Sequence, residues 1–591
     1  MSTDLETVNV AMERLVLNSK LSCANDSDAA TPCEKAGAFT CGGCLLVTYC
    51  SKACQAAHWH IHRKDCKSPL MKNTWEPCYF EQGREPDFMG VELLEAMTGM
   101  RIYLWGDVPA IDVIRLGENE GHNFKGPLDI FFAAPGNIRN AIFSIVNLPQ
   151  SYRGPLNIVI NDMDIAMVAR NVIFLLIFFL EDDPATAAIH VLHTWYSALV
   201  TESCHSFLKD KVKPVVKAVC DEIAQKTGST LMGKTWSFGD SSLRLVLTRN
   251  NWLALLSYFD VPEGLSKDSA QLLRGKITSH PAKIDCFERD LCNKSPSARV
   301  AMAKFRRDGI LLPFGQRRED FTVPNPTIFC TGKPWPLVED ADPTLEWPMK
   351  ATLEFNIGPA KNDVYGKLYY YLRQLFVDFH RELRSRPIKF EHLQTDVRSL
   401  PNHVSEKRFD RIDASNLPDI GYIGIKETLR VLGPLLQPTA VNSHATLVML
   451  FVNAINEMIL IDDSYPPTRR LRAENMETQR LKAKRYMSEQ TLSVSNNTNF
   501  LKLVASQALV HDMDGYFNRY MGMRRFEELG LIADLQMKYP HTIIDPWPMK
   551  LPDRRPTKED QEYFAMLLAS GHTGQERYVE WKRYPDQDVS Q

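Results

Sequence analysis

Cys23-ANDSDAATP-Cys33-EKAGAFT-Cys41-GG-Cys44-LLVTY-Cys50-SKA-Cys54-QAAHWHI-His62-RKD-Cys66 holds seven of the chain's thirteen cysteines beside a histidine. Gaps of two, three and seven residues in a dense Cys/His array read as zinc ligation rather than as a disulfide framework. A thiolate pair two or three residues apart, as in Cys41/Cys44 and Cys50/Cys54, can turn both sulfurs onto one metal, and His62 lies one helical turn from Cys66. Eight ligands make two tetrahedral sites. No sizeable apolar core is needed, because metal binding itself supplies folding free energy. The finger is therefore expected to be a separable module.

The order of ligands resembles the MYND zinc finger: an aromatic residue and Cys, three residues, Cys, seven residues, His, three residues, Cys, with a His-Trp pair before the histidine. The resemblance implies interleaved sites, with Cys23, Cys33, Cys50 and Cys54 on one zinc and Cys41, Cys44, His62 and Cys66 on the other. It also implies a protein partner, a proline-containing peptide held in a shallow groove. The family usually opens with C-x-x-C, whereas nine residues separate Cys23 from Cys33, and position 30 is an alanine. Either the first knuckle carries an insertion, or the first site is three-coordinate or borrows a ligand. His58 and His60 are the spare imidazoles, with His58 expected on the helix surface.

The 591 residues suggest three to four domains, and the hydrophobic (44%) and charged (24%) fractions are those of a folded globular chain. A net charge of −3 from 69 basic and 72 acidic residues provides no global field for nucleic acid or an anionic membrane. Lys52, Arg63, Lys64 and Lys67 motivate a transcription regulator as a further reading, but no recognition helix accompanies them. The first eighteen residues lack a secretory pattern, so a cytoplasmic or nuclear setting is expected, with Cys78, Cys204, Cys220, Cys286, Cys292 and Cys330 free. Val172 to Leu180 is about half the length needed to span a bilayer and reads as a buried helix.

Beyond the finger, residues 67–100 read as a proline-containing connector and 101–184 as the first half of an α/β domain. Leu128–Ala133 is an apolar strand broken by Pro135-Gly136-Asn137. A helix to Val146 follows, then a strand Leu156–Ile160 ending at Asn161-Asp162, then a long apolar helix. This is a βαβ unit with a parallel sheet buried on both faces. In such sheets the first turn and an acid ending the second strand can hold a nucleoside, which points to Gly136 and Asp162; a purely structural turn reads the same way. Residues 185–365 are expected to be a mainly helical insertion, with Ser242–Ser257 one of its helices. Residues 366–457 supply the second half: a helix with the stripe Leu368 to Leu383, strands at Ile388–Leu393, Phe409–Ala414 and Ala445–Val452, and a helix near 421–435. A charged, peripheral segment, 458–591, is expected to end the chain, with basic residues from Arg469 to Arg485 and a helix near Glu559–Ala569.

This second half resembles class I S-adenosylmethionine-dependent methyltransferases, which makes the fold class a Rossmann-like sheet interrupted by an insertion. The resemblance implies Asp162 as the ribose acid, Asp396 as the adenine-side acid and Asn416 as the polar residue facing the acceptor, the one weak catalytic candidate. The segments LDIFFAAPGNIRNAI, PLNIVINDMDIAMVARN, FDRIDASNLPDIGYIGI and HATLVMLFVNA also resemble fungal MYND-finger proteins that share their later domains with the axonemal dynein assembly factor family. Two functions follow: an interaction protein with a methyltransferase-like scaffold, or an active methyltransferase whose finger recruits the substrate.

Overall fold

The computed structural model describes residues 21–25, 32–87, 103–330, 335–463, 478–487 and 498–585. The N-terminal residues 1–20, most of the connector's second half (88–100), Ala30 and the basic run from Arg469 to position 477 lie outside the described residues. Two compact units emerge, both discontinuous in sequence: Met1–Pro109 with Leu180–Pro214 and Ser257–His380, and Ala110–Phe179 with Val215–Leu256 and Arg381–Gln591.

The second unit is built on a nine-stranded mixed sheet among the described residues. Strands are numbered along the whole chain: β1 (Phe39–Thr40), β2 (Thr48–Tyr49), β3 (Leu128–Phe132), β4 (Leu156–Asp162), β5 (Leu199–Thr201), β6 (Leu231–Phe238) and β7 (Ser241–Thr248). They continue with β8 (Phe321–Pro324), β9 (Ile388–Gln394), β10 (Arg411–Asp413), β11 (Thr446–Phe451), β12 (Leu535–Met537) and β13 (Arg577–Arg583). The order across the large sheet is β12-β13-β11-β10-β3-β4-β9-β7-β6. From β11 to β7 all neighbours run parallel, while β13, β12 and β6 pair antiparallel.

The apolar runs that mark β3, β4 and β11 are those of strands covered on both faces. After β4 comes the helix Ile165–Leu180, buried on nearly every side, which explains an apolar run that is too short to cross a bilayer. Among the described residues no helix is long and apolar enough to span a membrane. Phe131, Ile412, Leu447 and Trp581 belong to one continuous buried cluster on this sheet.

Two expectations are corrected here. Ser242–Ser257 is not one helix: Leu243, Leu245 and Leu247 are buried alternately as β7, and only Arg249–Leu256 is helical. With β6 it forms a hairpin at the sheet edge, so the region expected to be a helical insertion supplies two strands to this sheet besides the pair β5 and β8. Likewise the C-terminal segment is not peripheral, although its helix, Lys558–Ser570, falls where expected. Strand β13 pairs with β11, and the buried Glu580 carboxylate accepts the amides of Thr542, Ile543 and Ile544 at 2.8–3.0 Å. A carboxylate buried this way is held by the donors around it, which pins residues 541–544 to the sheet.

The first unit is largely helical, with β5 and β8 as a small antiparallel pair. The helix Pro184–Tyr196 opens on an Asp183 cap, and Pro296–Asp308 opens on Ser295 and closes on Gly309 in the left-handed region. Buried aromatic residues dominate its interior. Trp105 donates to the Trp195 carbonyl (2.9 Å), Trp347 donates to the Tyr196 hydroxyl (2.8 Å), and the Glu346 carboxylate accepts from Gly106 and Tyr196.

His392, at the centre of β9, is fully buried, and neither ring nitrogen has a hydrogen-bond partner among the described residues. Burial holds its pKa down at about 4 against an ordinary 6.5. A depressed imidazole contributes full stability above the unfolded value and loses it as pH falls from 6.5 towards about 4, a span equivalent to about 3 kcal/mol. Thermal unfolding of His392→Leu should therefore give a higher midpoint than wild type, with the gap widening between about pH 7 and about pH 5. A gap independent of pH would show that the imidazole does not stay neutral in the fold.

Candidate metal centre

The finger is assembled from a hairpin, a knuckle and a helix. Strands β1 and β2 pair antiparallel, Phe39 opposite Tyr49. Between them the chain turns at Cys41–Cys44, where Leu45, at φ 57°, returns its amide to the Cys41 carbonyl (2.9 Å). The helix Lys52–Cys66 starts at Ser51, whose hydroxyl accepts the Cys54 amide at 3.2 Å. That cap puts Cys54 on the first turn facing Cys50. At the other end the four-residue spacing aligns His62 with Cys66.

The side chains gather in two groups of four, Cys23/Cys33/Cys50/Cys54 and Cys41/Cys44/His62/Cys66, with ligand atoms within 4.8 Å of one another in each. In the first, Cys33 and Cys50 sulfurs are 3.6 Å apart and Cys50 and Cys54 3.5 Å. In the second, Cys41 and Cys66 sulfurs are 3.7 Å apart, and Cys44 Sγ lies 3.4 Å from His62 Nε2. Ligands about 2.3 Å from a shared zinc in tetrahedral array stand about 3.8 Å apart, close to these edges, whereas a disulfide would need about 2.05 Å. All seven cysteines are free thiols. The donor set and its spacing fit zinc.

The electrostatics point the same way. Hydrogen bonds from Cys44 and His62 draw the Cys41 thiol down to about 3, and Cys44 is pushed well up in return by Cys41 and by burial. Burial raises Cys23 to about 12, while Ser51 and Cys50 draw Cys54 down to about 7. Without a cation, sulfurs so close cannot all ionise together; a divalent ion at the centre removes that opposition. Gly43 suits the same crowding, since a Cβ there would stand 3.0 Å from Cys66 Sγ.

His58 is not on the helix surface. It is buried, its Nδ1 lies 3.0 Å from the Tyr49 hydroxyl, and its ring stacks 6.1 Å from that of His62. It belongs to neither group of four. The exposed His60 turns its Nδ1 to the Ala57 carbonyl (2.8 Å).

Nor is the finger separable. Cys44 O accepts Ser297 Oγ at 2.7 Å and Asn362 Nδ2 at 3.4 Å, Leu45 O accepts the Asn362 amide at 3.2 Å, and Gly315 packs on Ala24 and Val47. The connector is tied down as well. It carries a turn at Pro69–Met71 and a short helix at Cys78–Glu81, and Arg299 donates to the carbonyls of Leu70 (3.2 Å) and Lys72 (3.1 Å). A third cluster, Cys78/Asp285/Glu288, went unread in the sequence because its members lie two hundred residues apart. There Arg84 occupies Asp285 with both guanidinium nitrogens (2.6 and 2.7 Å), and Glu288 accepts the Cys78 amide, so an ion pair fills the place.

The residues suggested by the α/β pattern lie in the other unit. Gly136 sits at φ 65° after β3, its backbone near the buried Asp162 carboxylate, which accepts the Asp164 amide (2.9 Å) and is pushed up to about 7 by desolvation. Asn171 Nδ2 holds the Gly136 carbonyl at 2.8 Å. Asp396 caps the turn Val397–Ser399 and pairs with Arg398, which holds its carboxyl below the usual range. The half-buried Asn416 follows β10, its carbonyl accepting the Asp419 amide. Gly136 and Asp162 are thus brought into contact, while Asp396 and Asn416 are each engaged in their own turns. Sequence reasoning missed Asn161, whose side chain bridges the Ala133 and Thr395 carbonyls (3.1 and 3.0 Å), and Asn140, which donates to the buried Asp413 (2.8 Å). An isolated asparagine offers no periodic signal.

Two interleaved four-ligand sets on one hairpin and one helix define a double-zinc Cys/His finger. Residues 23–66 match the MYND finger family, and residues 104–200 match a domain of unknown function, DUF4470. No solved structure gives a significant match to the chain.

Elemental analysis of purified protein should find two zinc ions per chain, falling to one in both Cys33→Ser and Cys41→Ser, which remove one ligand from each group. Retention of both ions by either variant would refute the grouping.

Proposed function

We propose that the chain is a zinc-dependent adaptor, in which the MYND finger recruits a partner polypeptide to a methyltransferase-like scaffold. The observation that carries this reading is the pair of complete ligand sets, since a finger of this size has no other means of holding a rigid surface. MYND fingers commonly mediate protein–protein contact. Phe39, 63% exposed on the two-residue strand β1, and Ile61, 40% exposed on the helix, give this finger apolar anchors for a peptide, with a proline-containing segment as the expected type. The resemblance of the later segments to the axonemal dynein assembly factor family agrees with an assembly role rather than turnover.

The order β9-β4-β3-β10-β11, or 3-2-1-4-5 along these strands, favours a second reading, an S-adenosylmethionine-dependent methyltransferase. Such sheets take ligands where the order reverses, here between β3 and β10, beside Gly136, Asp162 and Asn416. In that reading Asp162 and Asp396 would hold the nucleoside and Asn416 would orient the acceptor, catalysis resting on positioning. Against it, Asn171 already engages the carbonyl of Gly136, Asp162 accepts the Asp164 amide, and Asp396 is closed on Arg398. The adaptor reading is therefore preferred.

Phe39→Ala should keep both zinc ions yet weaken capture of the partner about tenfold or more, as loss of an aromatic anchor does, and Cys41→Ser should abolish it. Pull-downs in which both variants retain every wild-type partner would remove the finger as the recruiting surface. Titration calorimetry with S-adenosylmethionine near millimolar should give no heat; binding that disappears in Asp162→Ala would restore the enzyme reading.

A further inference from the structure

The first turn of the helix Pro296–Asp308 grips the finger in two places. Ser297 holds the Cys44 carbonyl on the knuckle, and Arg299, buried and stacked 5.0 Å from the Trp75 ring, holds the Leu70 and Lys72 carbonyls beyond the finger's last ligand. The knuckle and the segment after Cys66 are more than twenty residues apart along the chain. They meet at the second ligand group, where Cys41 Sγ stands 3.7 Å from Cys66 Sγ and Cys44 Sγ 3.4 Å from His62 Nε2. Helix turn, knuckle, ligand group, end of the finger helix and Arg299 thus form a closed ring of contacts.

We propose that zinc at Cys41, Cys44, His62 and Cys66 is a fastener of the helical unit as well as of the finger, the link that closes this ring and makes the two grips cooperative. The proposal rests on the zinc reading of that ligand group. Each grip alone ties down one segment and must bear the entropy of ordering it. With the metal bound, either grip positions the segment that the other must hold, so each is strengthened by its fellow. The first ligand group approaches the helical unit at the Ala24–Gly315 contact. Occupancy of the second site should therefore control how firmly the finger sits on its own chain.

Hydrogen exchange followed by mass spectrometry on the full-length protein, with zinc measured in the same samples, tests this. Cys41→Ser, which empties only the second site, should raise exchange across 296–308 about tenfold, whereas Cys33→Ser should leave those residues near wild type. Ser297→Ala and Arg299→Ala should each retain two zinc ions, and their effects on protection at 69–75 and 296–308 should be non-additive in zinc-loaded protein but additive after chelation. Unchanged exchange at 296–308 in Cys41→Ser, or additivity in the zinc-loaded state, overturns the proposal. Should Cys41→Ser not fold, the Ser297/Arg299 cycle decides alone. Wild-type protein carrying no zinc would instead overturn the metal reading itself, so the two failures are distinguishable.

Discussion

The mutual repulsion of closely packed sulfur ligands, and its relief by a divalent cation, is the constraint on which the amino-terminal part of this protein depends. Three thiolates gathered with an imidazole within 4.8 Å repel one another unless a cation lies between them, and the same packing lowers Cys41 while raising Cys44. The finger buries only a few apolar side chains, Leu46, Val47 and Tyr49 among them. Metal coordination therefore stands where a core would stand in a larger domain. Once the knuckle is rigid, its carbonyls become fixed acceptors, and Ser297 and Asn362 can use them as a helical surface would use a helix end.

The α/β unit obeys a different logic. Its parallel strands are buried on both faces, and the polar residues at their carboxyl ends are spent on the unit's own turns. Asn171 holds Gly136, Asp162 accepts the Asp164 amide, Asn161 bridges two strand ends, and Asn140 satisfies Asp413. These groups find partners within the chain, whereas Asn171 Oδ1 and both nitrogens of His392 have none among the described residues. A fold of this class commonly presents such groups to a ligand at the point where strand order reverses.

Legibility followed sequence distance. The Cys and His spacings, the apolar runs of β3, β4 and β11 and the buried helix Ile165–Leu180 are local patterns, each set by coordination geometry or by burial on both faces. The β6–β7 hairpin was missed because half of each strand faces outward, leaving short alternations that a search for helical stripes passes over. Strand β13 was hidden for another reason: RYVEWKR reads as a charged surface segment until Glu580 is seen to be buried against three backbone amides. His58 looked exposed because nothing in its neighbourhood reveals that Tyr49 lies across from it.

By itself the sequence determined that the amino end would fold around metal and that an α/β sheet would follow, since thiolate spacing and apolar periodicity act over a few residues. Only the tertiary structure decided that the finger is clasped by a helix more than two hundred residues away, that the C-terminal strand completes the sheet, and that Asn171 closes on Gly136. Those outcomes depend on which distant donor meets which acceptor once chain entropy has been overcome, and a linear string of residues does not carry that pairing.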